Sequence, residues 1–285
     1  MRLSISNIAW DVAEDEAVAA LLGRFGVDAI DVAPAKYFPQ PATASDAGIA
    51  RVRRWWADRG IEVVGMQSLL FGTQGLNLFG APVVQDAMIE HLSAVCRIGA
   101  GLGAPRLVFG SPRNRDRSAL SDAAALETAV AFFRRLGDVA GSHGVQVCLE
   151  ANPAVFGTNF MLTTDQAAEV VRSVGHPFIR LQFDTGTVAT DADDPEAALQ
   201  AHAALVGHVH ASEPGLVPLG DAGEAGARHD AMATALRRYL PGHIVSVEMV
   251  ATGGESHVTS IERALRVALR HYGPDHNGRS TGRTG

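Results

Sequence analysis

The sequence reads Ser142-His143-Gly144-Val145-Gln146-Val147-Cys148-Leu149-Glu150 where a helix-like apolar pattern ends and a branched-chain run begins. Glycine suits this junction because it adopts the left-handed backbone conformation that commonly ends a helix. After it, apolar and polar residues alternate as they do along a half-buried strand. The stretch therefore predicts a helix, a turn on Gly144 and a β-strand over 145–150.

This junction recurs along the chain, with glycine at positions 26, 60, 103 and 175. Strand-like runs are predicted over 3–8, 28–33, 62–68, 106–110, 145–150, 179–184, 206–211 and 244–250. Between them, capping-box spacing marks helix starts at Asp11 with Glu14, Thr163 with Gln166, and Thr259 with Glu262. Eight alternations without a long linker favour a single (β/α)8 TIM barrel with eight parallel strands over an open sheet. We expect this barrel to span 1–272, followed by a disordered tail over 273–285.

Composition agrees with a globular enzyme and argues against several other classes. The chain has 285 residues, of which 47% are hydrophobic and 19% charged, and α/β barrels commonly use about 250 residues as one domain. A net charge of −7 gives no electrostatic reason to bind nucleic acid, whose phosphates need a basic surface. The first residues lack the apolar run of a signal peptide or membrane span, so we expect a cytoplasmic protein with no membrane contact. Cys96 and Cys148 have no CxxC partner and are predicted to be buried hydrophobic residues.

Side-chain alternation sorts the last four strands into two faces. The predicted helix-facing set is apolar, and it comprises Val147, Leu149, Ile179, Leu181, Phe183, Val209, Val245 and Val247. The predicted lumen set is mostly polar, and it comprises Gln146, Cys148, Glu150, Arg180, Gln182, Asp184, His208, His210, Ser246 and Glu248. A structural barrel fills its interior with branched apolar side chains, so a polar interior indicates a site.

Four of these lumen residues end their strands at the same level. They are Glu150, Asp184, His210 and Glu248, which we call the mouth cluster. Each alone has an ordinary explanation, such as a helix cap at Asp184. Three converging carboxylates would repel one another, however, and one divalent cation would pair with all of them. Oxygen-rich ligands with one imidazole suit Mn²⁺ first, then Mg²⁺ or Co²⁺, with Zn²⁺ less expected.

These residues resemble the xylose isomerase-like barrels, a superfamily of sugar phosphate isomerases and epimerases that includes ketose 3-epimerases, hydroxypyruvate isomerase and inosose dehydratase. The likeness covers residues 1 to about 272 and is carried by Val147-Cys148-Leu149-Glu150-Ala151-Asn152, Gln182-Phe183-Asp184-Thr185-Gly186, His208-Val209-His210-Ala211-Ser212-Glu213, Ser246-Val247-Glu248 and Pro218-Leu219-Gly220-Asp221-Ala222-Gly223. It implies that the mouth cluster binds the metal. It also implies that Glu150 and Glu248 act as acid and base on opposite faces of the substrate carbon.

The chain departs from the family pattern at two positions. Many ketose epimerases carry histidine three residues after the aspartate ligand and arginine six residues after the histidine ligand, where this chain has Thr187 and Leu216. Neither change touches a ligand of the mouth cluster. Both bear on the substrate, so the particular sugar and its phosphorylation stay open.

The predicted reaction is proton abstraction next to a carbonyl of a sugar or sugar phosphate, through a metal-stabilised enediolate, giving epimerisation or isomerisation. Loss of hydroxide from the same intermediate would instead make the protein a dehydratase. The predicted substrate-binding residues are Gln67, Asn152, His208, Glu213, Lys36 and Arg113, the last as a handle for an anionic group.

Two interpretations from other classes stay open. A phosphodiester hydrolase resembling endonuclease IV would need several metal ions, more histidine ligands at strand ends and a basic surface, and the acidic charge disfavours it. A non-catalytic protein that kept the barrel is the second alternative. A homodimer is also compatible with the sequence, because Trp55-Trp56 and the 71–79 loop offer apolar material for pairing.

Overall fold

Eight parallel strands close into one barrel in chain order, with β8 paired to β1. The computed structural model describes residues 1–118, 120–223 and 228–274. The strands are β1 (Arg2–Ser6), β2 (Ala29–Val32), β3 (Glu62–Met66), β4 (Arg106–Phe109), β5 (Gln146–Glu150), β6 (Ile179–Asp184), β7 (Val206–Ala211) and β8 (Ile244–Val247). The predicted (β/α)8 TIM barrel is thereby confirmed.

Helices alternate with the strands. The described helices are α1 (Asp15–Phe25), α2 (Pro34–Tyr37), α3 (Asp46–Ala57), α4 (Pro82–Leu102), α5 (Asp122–Ser142), α6 (Thr164–Val174), α7 (Thr185–Thr190), α8 (Pro195–His202), α9 (His229–Tyr239) and α10 (His257–Tyr272). Two of them, α2 and α7, are short and additional to the alternation. Helices α2 and α7 follow β2 and β6 at the carboxyl end of the barrel. None of the described helices combines the length and apolarity needed to cross a membrane.

Junction glycines behave as the sequence predicts. Gly26, Gly60, Gly103, Gly144 and Gly175 all have positive φ, between 60° and 83°. This is the left-handed region in which a residue with a Cβ is strained. Strands β6 and β7 have the predicted bounds, whereas the predicted ends of β1 and β8 run too far. Their last residues turn out of the ladder to build the mouth of the barrel, and Glu248 is the first residue beyond β8.

One predicted helix start is wrong by three residues. Helix α10 begins at His257, because the Ser256 hydroxyl caps it by accepting from the Thr259 backbone N–H at 3.2 Å. Thr259 and Glu262 have capping-box spacing but lie inside the helix. The start at Thr163 is confirmed, since its Oγ1 accepts from Gln166 N at 3.3 Å. Asp11 forms its capping box with Glu14, whose Oε2 accepts from Asp11 N at 2.9 Å, but on a 3-10 turn over Val12–Glu14 that directly precedes α1. The predicted disordered tail lies, from residue 275 onward, outside the described residues.

The apolar core fills the layer between the barrel and its helices. Every member of the predicted helix-facing set is at most 1% exposed and belongs to this core, and burying each such side chain is worth about 1.5–3 kcal/mol. Trp56 is fully buried in it, and the Arg59 guanidinium covers the ring of Trp55 at 3.7 Å. The tryptophan pair therefore packs within one chain, whereas Phe71 is 76% exposed. Dimerisation through the 71–79 loop stays a prediction.

Two register shifts position polar residues in the lumen. Between β2 and β3, Ile30 pairs with Val63 but Asp31 pairs with Gly65, so Val64 is an extra residue. Between β6 and β7, Leu181 pairs with Val206 but Gln182 pairs with His208, so Gly207 is extra. Such bulges re-aim side chains and are common beside active sites. Here they bring Asp31 and His208 into the barrel interior.

Candidate metal and substrate site

The mouth cluster forms at the carboxyl end of four consecutive strands, β5 to β8. Each of its four residues has a ligand atom within 4.8 Å of the others'. The His210 ring is fully buried, and its Nδ1 lies 3.4 Å from Glu150 Oε1 and 3.2 Å from Glu248 Oε2. Asp184 is 8% exposed. The structure thus brings together all four residues that the sequence singled out as metal ligands.

Electrostatics at the mouth cluster is unfavourable without a cation. Burial, together with the charges of Glu248 and Glu150, raises the pKa of Asp184 to about 7. Burial opposes a charge on His210, but the negative charge of Glu248 and the nearby carboxylates of Asp31 and Glu150 raise the pKa of the imidazole well above its usual value. Protons are therefore held where the sequence places metal ligands.

The donor set fits a divalent metal ion. Glu150 Oε1 is buried and has no hydrogen-bond partner among the described residues, although it faces His210 Nδ1. A buried carboxylate oxygen without a donor is unfavourable unless a cation meets it. Three carboxylates and one imidazole suit Mn²⁺, Mg²⁺, Co²⁺ or Zn²⁺. The residues present therefore fit the group that the sequence predicts.

Asp184 is held in place by the chain that follows it. Its Oδ1 accepts from the Thr187 backbone N–H at 2.7 Å, at the start of α7, and its Oδ2 accepts from the Ser212 hydroxyl at 2.6 Å. A Cβ at Gly186 would lie 2.4 Å from Ser212 Oγ, so glycine is required there. The short helix thus fixes the carboxylate as its N-cap.

Two amide side chains make matching contacts with the two glutamates. Gln67 Nε2 donates to Glu248 Oε1 at 2.6 Å, and Asn152 Nδ2 donates to Glu150 Oε2 at 3.1 Å. In each case the amide binds the carboxylate oxygen that is not turned toward His210. Of the predicted substrate-binding residues, these two lie in contact with the mouth cluster.

The other four predicted substrate-binding residues make no hydrogen bond to the mouth cluster. His208 is 4% exposed and bonded to Asp31, deeper in the barrel than the mouth cluster. Glu213 lines the mouth but uses its carboxylate on Gly220 N, Ala222 N and His229. Lys36 Nζ donates to the Trp10 carbonyl, away from the cavity. Arg113 is exposed on the rim, beside the lining residues Ser111 and Pro112.

Sequence reasoning missed two charged residues of the site. Asp31 is fully buried and contacts His208 and His210. Its signal was present, because it is the one charged residue in the apolar run Ala29–Val32. Arg115 is also fully buried, and it donates to the Glu150 carbonyl at 2.7 Å and to Asn152 Oδ1 at 2.6 Å. In the sequence it could not be told from its neighbours Arg113 and Arg117.

A cavity of about 160 Å³, which we call the mouth cavity, opens above the cluster. Its polar lining includes Glu150, Asp184, Glu248, Gln67 and Asn152, and its apolar lining comprises Val108, Pro112, Pro153, Phe156, Pro214 and Leu216. Three lining residues, Ser68, Ser111 and Leu216, have φ between 44° and 56°. Strained backbone of this kind is concentrated at functional sites.

A larger cavity, of about 700 Å³, lies at the amino-terminal end of the barrel. It is lined by residues such as Arg2, Arg106 and His243, and by no member of the mouth cluster. Barrel enzymes place their chemistry at the carboxyl end of the strands. We therefore assign the functional site to the smaller cavity, where the carboxylates and the imidazole converge.

Comparison with solved structures shows the same fold in proteins with different reactions. A D-psicose 3-epimerase determined in the presence of D-fructose superposes with a TM-score of 0.77 at 18% identity, covering 96% of this chain and 100% of that one. The IOLI protein with a bound zinc atom gives 0.72 at 16% identity, covering 95% and 98%. The probable 3-DHS dehydratase AsbF of Bacillus anthracis gives 0.68 at 14% identity, covering 94% and 99%.

Comparison at the level of sequence is more restricted. No curated protein sequence matches the chain significantly. The model of the xylose isomerase-like TIM barrel family, in contrast, matches residues 19–271, which is most of the chain and includes the whole mouth cluster. The protein is therefore a member of the xylose isomerase-like TIM barrel family.

Proposed function

We propose that this protein is a divalent-metal-dependent isomerase or epimerase of a sugar without a phosphate group. The observation that carries the proposal is the convergence of three buried carboxylates and one imidazole within 4.8 Å at the carboxyl end of the barrel. Membership in the xylose isomerase-like family and the fold shared with a D-psicose 3-epimerase support the same reaction class. The reaction is proton abstraction from a carbon next to a carbonyl.

Each residue of the mouth cluster has a place in this mechanism. All four would hold the cation, which would supply stabilisation of the negative charge that develops as the proton leaves. Glu150 and Glu248 come from β5 and β8, the two ends of the four-strand arc, so their carboxylates approach a bound sugar from different sides. One glutamate removes the proton and the other returns it.

The amide contacts indicate different roles for the two carboxylate oxygens of each glutamate. The oxygens facing His210 are Glu150 Oε1 and Glu248 Oε2, which lie where a cation would be held. The other oxygens are held by Asn152 and Gln67, and they are the atoms that exchange a proton with the substrate. A fixed carboxylate oxygen within hydrogen-bond reach of the substrate is what general acid–base catalysis requires.

The lining of the mouth cavity supports a neutral substrate. Among the described residues, it contains no lysine or arginine. A phosphate group needs such a partner when it is taken from water into a cavity. Thr187 and Leu216, where the family pattern has histidine and arginine, both line the cavity. Free ketoses and aldoses therefore suit the site better than their phosphates.

The hydrolase alternative is weakened by the same lining. Within the described residues no histidine lines the mouth cavity, and the other buried candidate group, Asp31 with His208, shares His210 with the mouth cluster. A cluster of several metal ions needs more ligands than this. Dehydration remains the alternative outcome of the same proton abstraction.

Metal content and proton exchange test the proposal together. We would purify the protein without chelator, measure bound metal by elemental analysis, and follow the loss of α-hydrogen NMR signals from neutral ketoses and aldoses in D₂O. Wild-type protein should hold close to one divalent ion per chain and catalyse exchange. Glu150→Gln and Glu248→Gln should lower the exchange rate at least ~10²-fold, the usual contribution of an acid or base, and should reduce the bound metal.

Glu90→Gln is the matched control, because Glu90 is exposed on α4 and should leave metal and exchange unchanged. Exchange that ends in loss of water would assign a dehydratase. Wild-type protein that neither contains metal nor takes up added Mn²⁺ or Co²⁺ would remove the basis of the proposal.

A further inference from the structure

Asp31 lies directly beneath the mouth cluster, on the side away from the cavity. It is fully buried on β2, and its Oδ2 lies 2.6 Å from His208 Nε2 and 3.4 Å from His210 Nε2. The opposite ring nitrogen of His210, Nδ1, faces Glu150 and Glu248. One imidazole therefore separates a buried carboxylate from the ligand site.

The two ring nitrogens of His210 face different carboxylates, and Nε2, with Asp31 Oδ2 at 3.4 Å, has no hydrogen-bond partner among the described residues. An imidazole that binds a cation does so through a nitrogen without hydrogen, so its other nitrogen carries the hydrogen. If Nδ1 faces the cation, then Nε2 must donate. Asp31 is the carboxylate in position to accept that hydrogen, and such a partner fixes ring orientation and strengthens the nitrogen ligand.

We propose that Asp31 is a positioning residue that holds His210 in the metal-binding tautomer and orientation, with His208 as the second histidine on the same carboxylate. The inference rests on the proposed function, since it assumes that the mouth cluster binds a cation. It adds two residues that do not line the mouth cavity and therefore cannot touch the substrate there.

His208 is the second group that faces Asp31. Its Nε2 lies 2.6 Å from Asp31 Oδ2, the same oxygen that lies 3.4 Å from His210 Nε2. One carboxylate oxygen therefore faces both imidazoles, and the contact with His208 fixes its position beneath the metal site.

A purely structural role fits Asp31 less well. Its Oδ1 has no hydrogen-bond partner among the described residues, whereas a buried structural carboxylate usually has both oxygens bonded. Asp15 on α1 provides the contrast, since its two oxygens accept from Trp10 Nε1 and Tyr37 Oη, both at 2.8 Å. The backbone is also adapted to Asp31, because a Cβ on Gly65 would lie 2.5 Å from its Oδ1.

The test compares Asp31→Asn with Asp15→Asn, two substitutions that remove one buried carboxylate charge and keep the side-chain shape. Full-length protein would be freed of metal with chelator and titrated with Co²⁺, following the visible absorption of the bound ion. Asp31→Asn should bind Co²⁺ 10–100-fold more weakly than wild type, the usual effect of losing such a partner, with an altered absorption spectrum. Asp15→Asn should keep the wild-type affinity and spectrum.

Wild-type affinity and an unchanged spectrum in Asp31→Asn would overturn this inference and leave the proposed function standing. Wild-type protein that binds no Co²⁺ would overturn both. Circular dichroism of the metal-free proteins tests folding. Should Asp31→Asn lack the native spectrum, the decision passes to His208→Gln, which keeps Asp31 but removes the imidazole that lies 2.6 Å from its Oδ2. Weaker Co²⁺ binding than wild type in that variant supports the inference, and equal binding overturns it.

Discussion

Asp184 is the residue at which the electrostatic cost of the site is concentrated. Two other carboxylates lie within 4.8 Å of it, and burial together with their charges raises its pKa to about 7. In the metal-free protein it therefore holds a proton at a pH where an exposed aspartate is ionised. Asparagine at this position can still accept from the Thr187 N–H, and it carries no charge at any pH.

Removing the charge should therefore make the metal-free protein less sensitive to pH. Because the folded-state pKa of Asp184 is raised, the folded chain binds more protons than the unfolded chain between about pH 4 and pH 7. Wild-type stability should fall as pH rises through that window, by on the order of a few kcal/mol. Asp184→Asn lacks this contribution, so in urea unfolding with chelator it should lose less stability than wild type between pH 5 and pH 8.

Added Mn²⁺ provides the control for this prediction. It should raise the unfolding midpoint of the wild type and leave that of Asp184→Asn nearly unchanged, since the variant lacks one ligand. If stability depended on pH identically in the two metal-free proteins, the raised pKa of Asp184 would be contradicted.

The bulge at Gly207 in β7 is an irregularity of a strand that helps to position the site. The extra residue Gly207 in β7 lets His208 pair with Gln182 and His210 with Asp184. A Cβ at Gly207 would lie 2.7 Å from the Cβ of Arg180 and 2.9 Å from Cys148 Sγ. Glycine is therefore required by the close approach of β6 and β5.

Gly207→Ala should disturb metal binding from a distance. The added methyl group should shift β7 and displace both histidines, destabilising the protein by about 1–3 kcal/mol, as overpacking commonly does. Co²⁺ affinity should fall with it. Gly253→Ala is the matched control, because its Cβ meets no atom within 4 Å, and its affinity and thermal midpoint should match the wild type. Unchanged affinity in Gly207→Ala would show that the bulge does not set the histidine positions.

Glu213 is a charged residue at the mouth of the barrel, and its hydrogen bonds hold neighbouring segments of the chain together. Its carboxylate accepts from Gly220 N, Ala222 N and His229, and His229 in turn contacts Tyr272 Oη at 2.6 Å. Burial opposes its ionisation, but these hydrogen bonds lower its pKa overall. The residue thus ties the segment after β7 to α9 and α10.

Glu213→Gln should therefore reduce stability rather than metal or substrate binding. The loss should be about 1–3 kcal/mol at pH 7, the usual cost of a missing charged hydrogen bond. Since the folded pKa is lowered, the stability due to Glu213 is present above its usual value of 4.5 and is lost as pH falls through the lowered pKa. Urea unfolding at pH 7 and pH 4, with Co²⁺ titration, would measure both. If Glu213→Gln weakened metal or sugar binding but left stability unchanged, the result would support the substrate-binding role predicted from the sequence.

The limits of sequence reasoning follow from the same elements. Alternation along β5 to β8 was enough to predict the mouth cluster, because a polar residue at a lumen position is costly in any barrel. The bulges at Val64 and Gly207 are not visible in alternation. Asp31 was missed because it lies on β2, outside the last four strands whose alternation was used. Arg115 was not singled out because loop conformation, which decides its partners, has no periodic signal. The substrate-binding role predicted for Glu213 stays a prediction.

At the scale of the whole molecule, apolar exposure is concentrated at the carboxyl end of the barrel. The exposed large apolar residues of the described chain are Val12, Phe71, Val83, Leu120, Val155, Phe156 and Val250. All of them lie in or just beyond segments that follow strands. Exposed charges lie at the same end, among them Asp11, Arg113 and Asp122, but the arginine-rich segment 113–117 contributes no side chain to the mouth cavity lining. The charged residues that line the cavity are Glu150, Asp184, Glu213 and Glu248, all of them acidic.

A cavity lined by carboxylates, with no lysine or arginine among the described lining residues, should select uncharged substrates. Neutral sugars should show a KM that is nearly independent of salt, because no charge pair forms between substrate and cavity. Their phosphates should bind at least about tenfold more weakly, a difference of roughly 1.4 kcal/mol. Arg113→Ala should leave both KM values unchanged, since Arg113 is exposed outside the lining. KM would be measured by steady-state kinetics at about 20 mM and about 300 mM salt, between which the screening length changes severalfold. Tighter binding of the phosphates, reduced by salt and by Arg113→Ala, would instead make the rim arginine a phosphate-binding group and the protein a sugar phosphate enzyme.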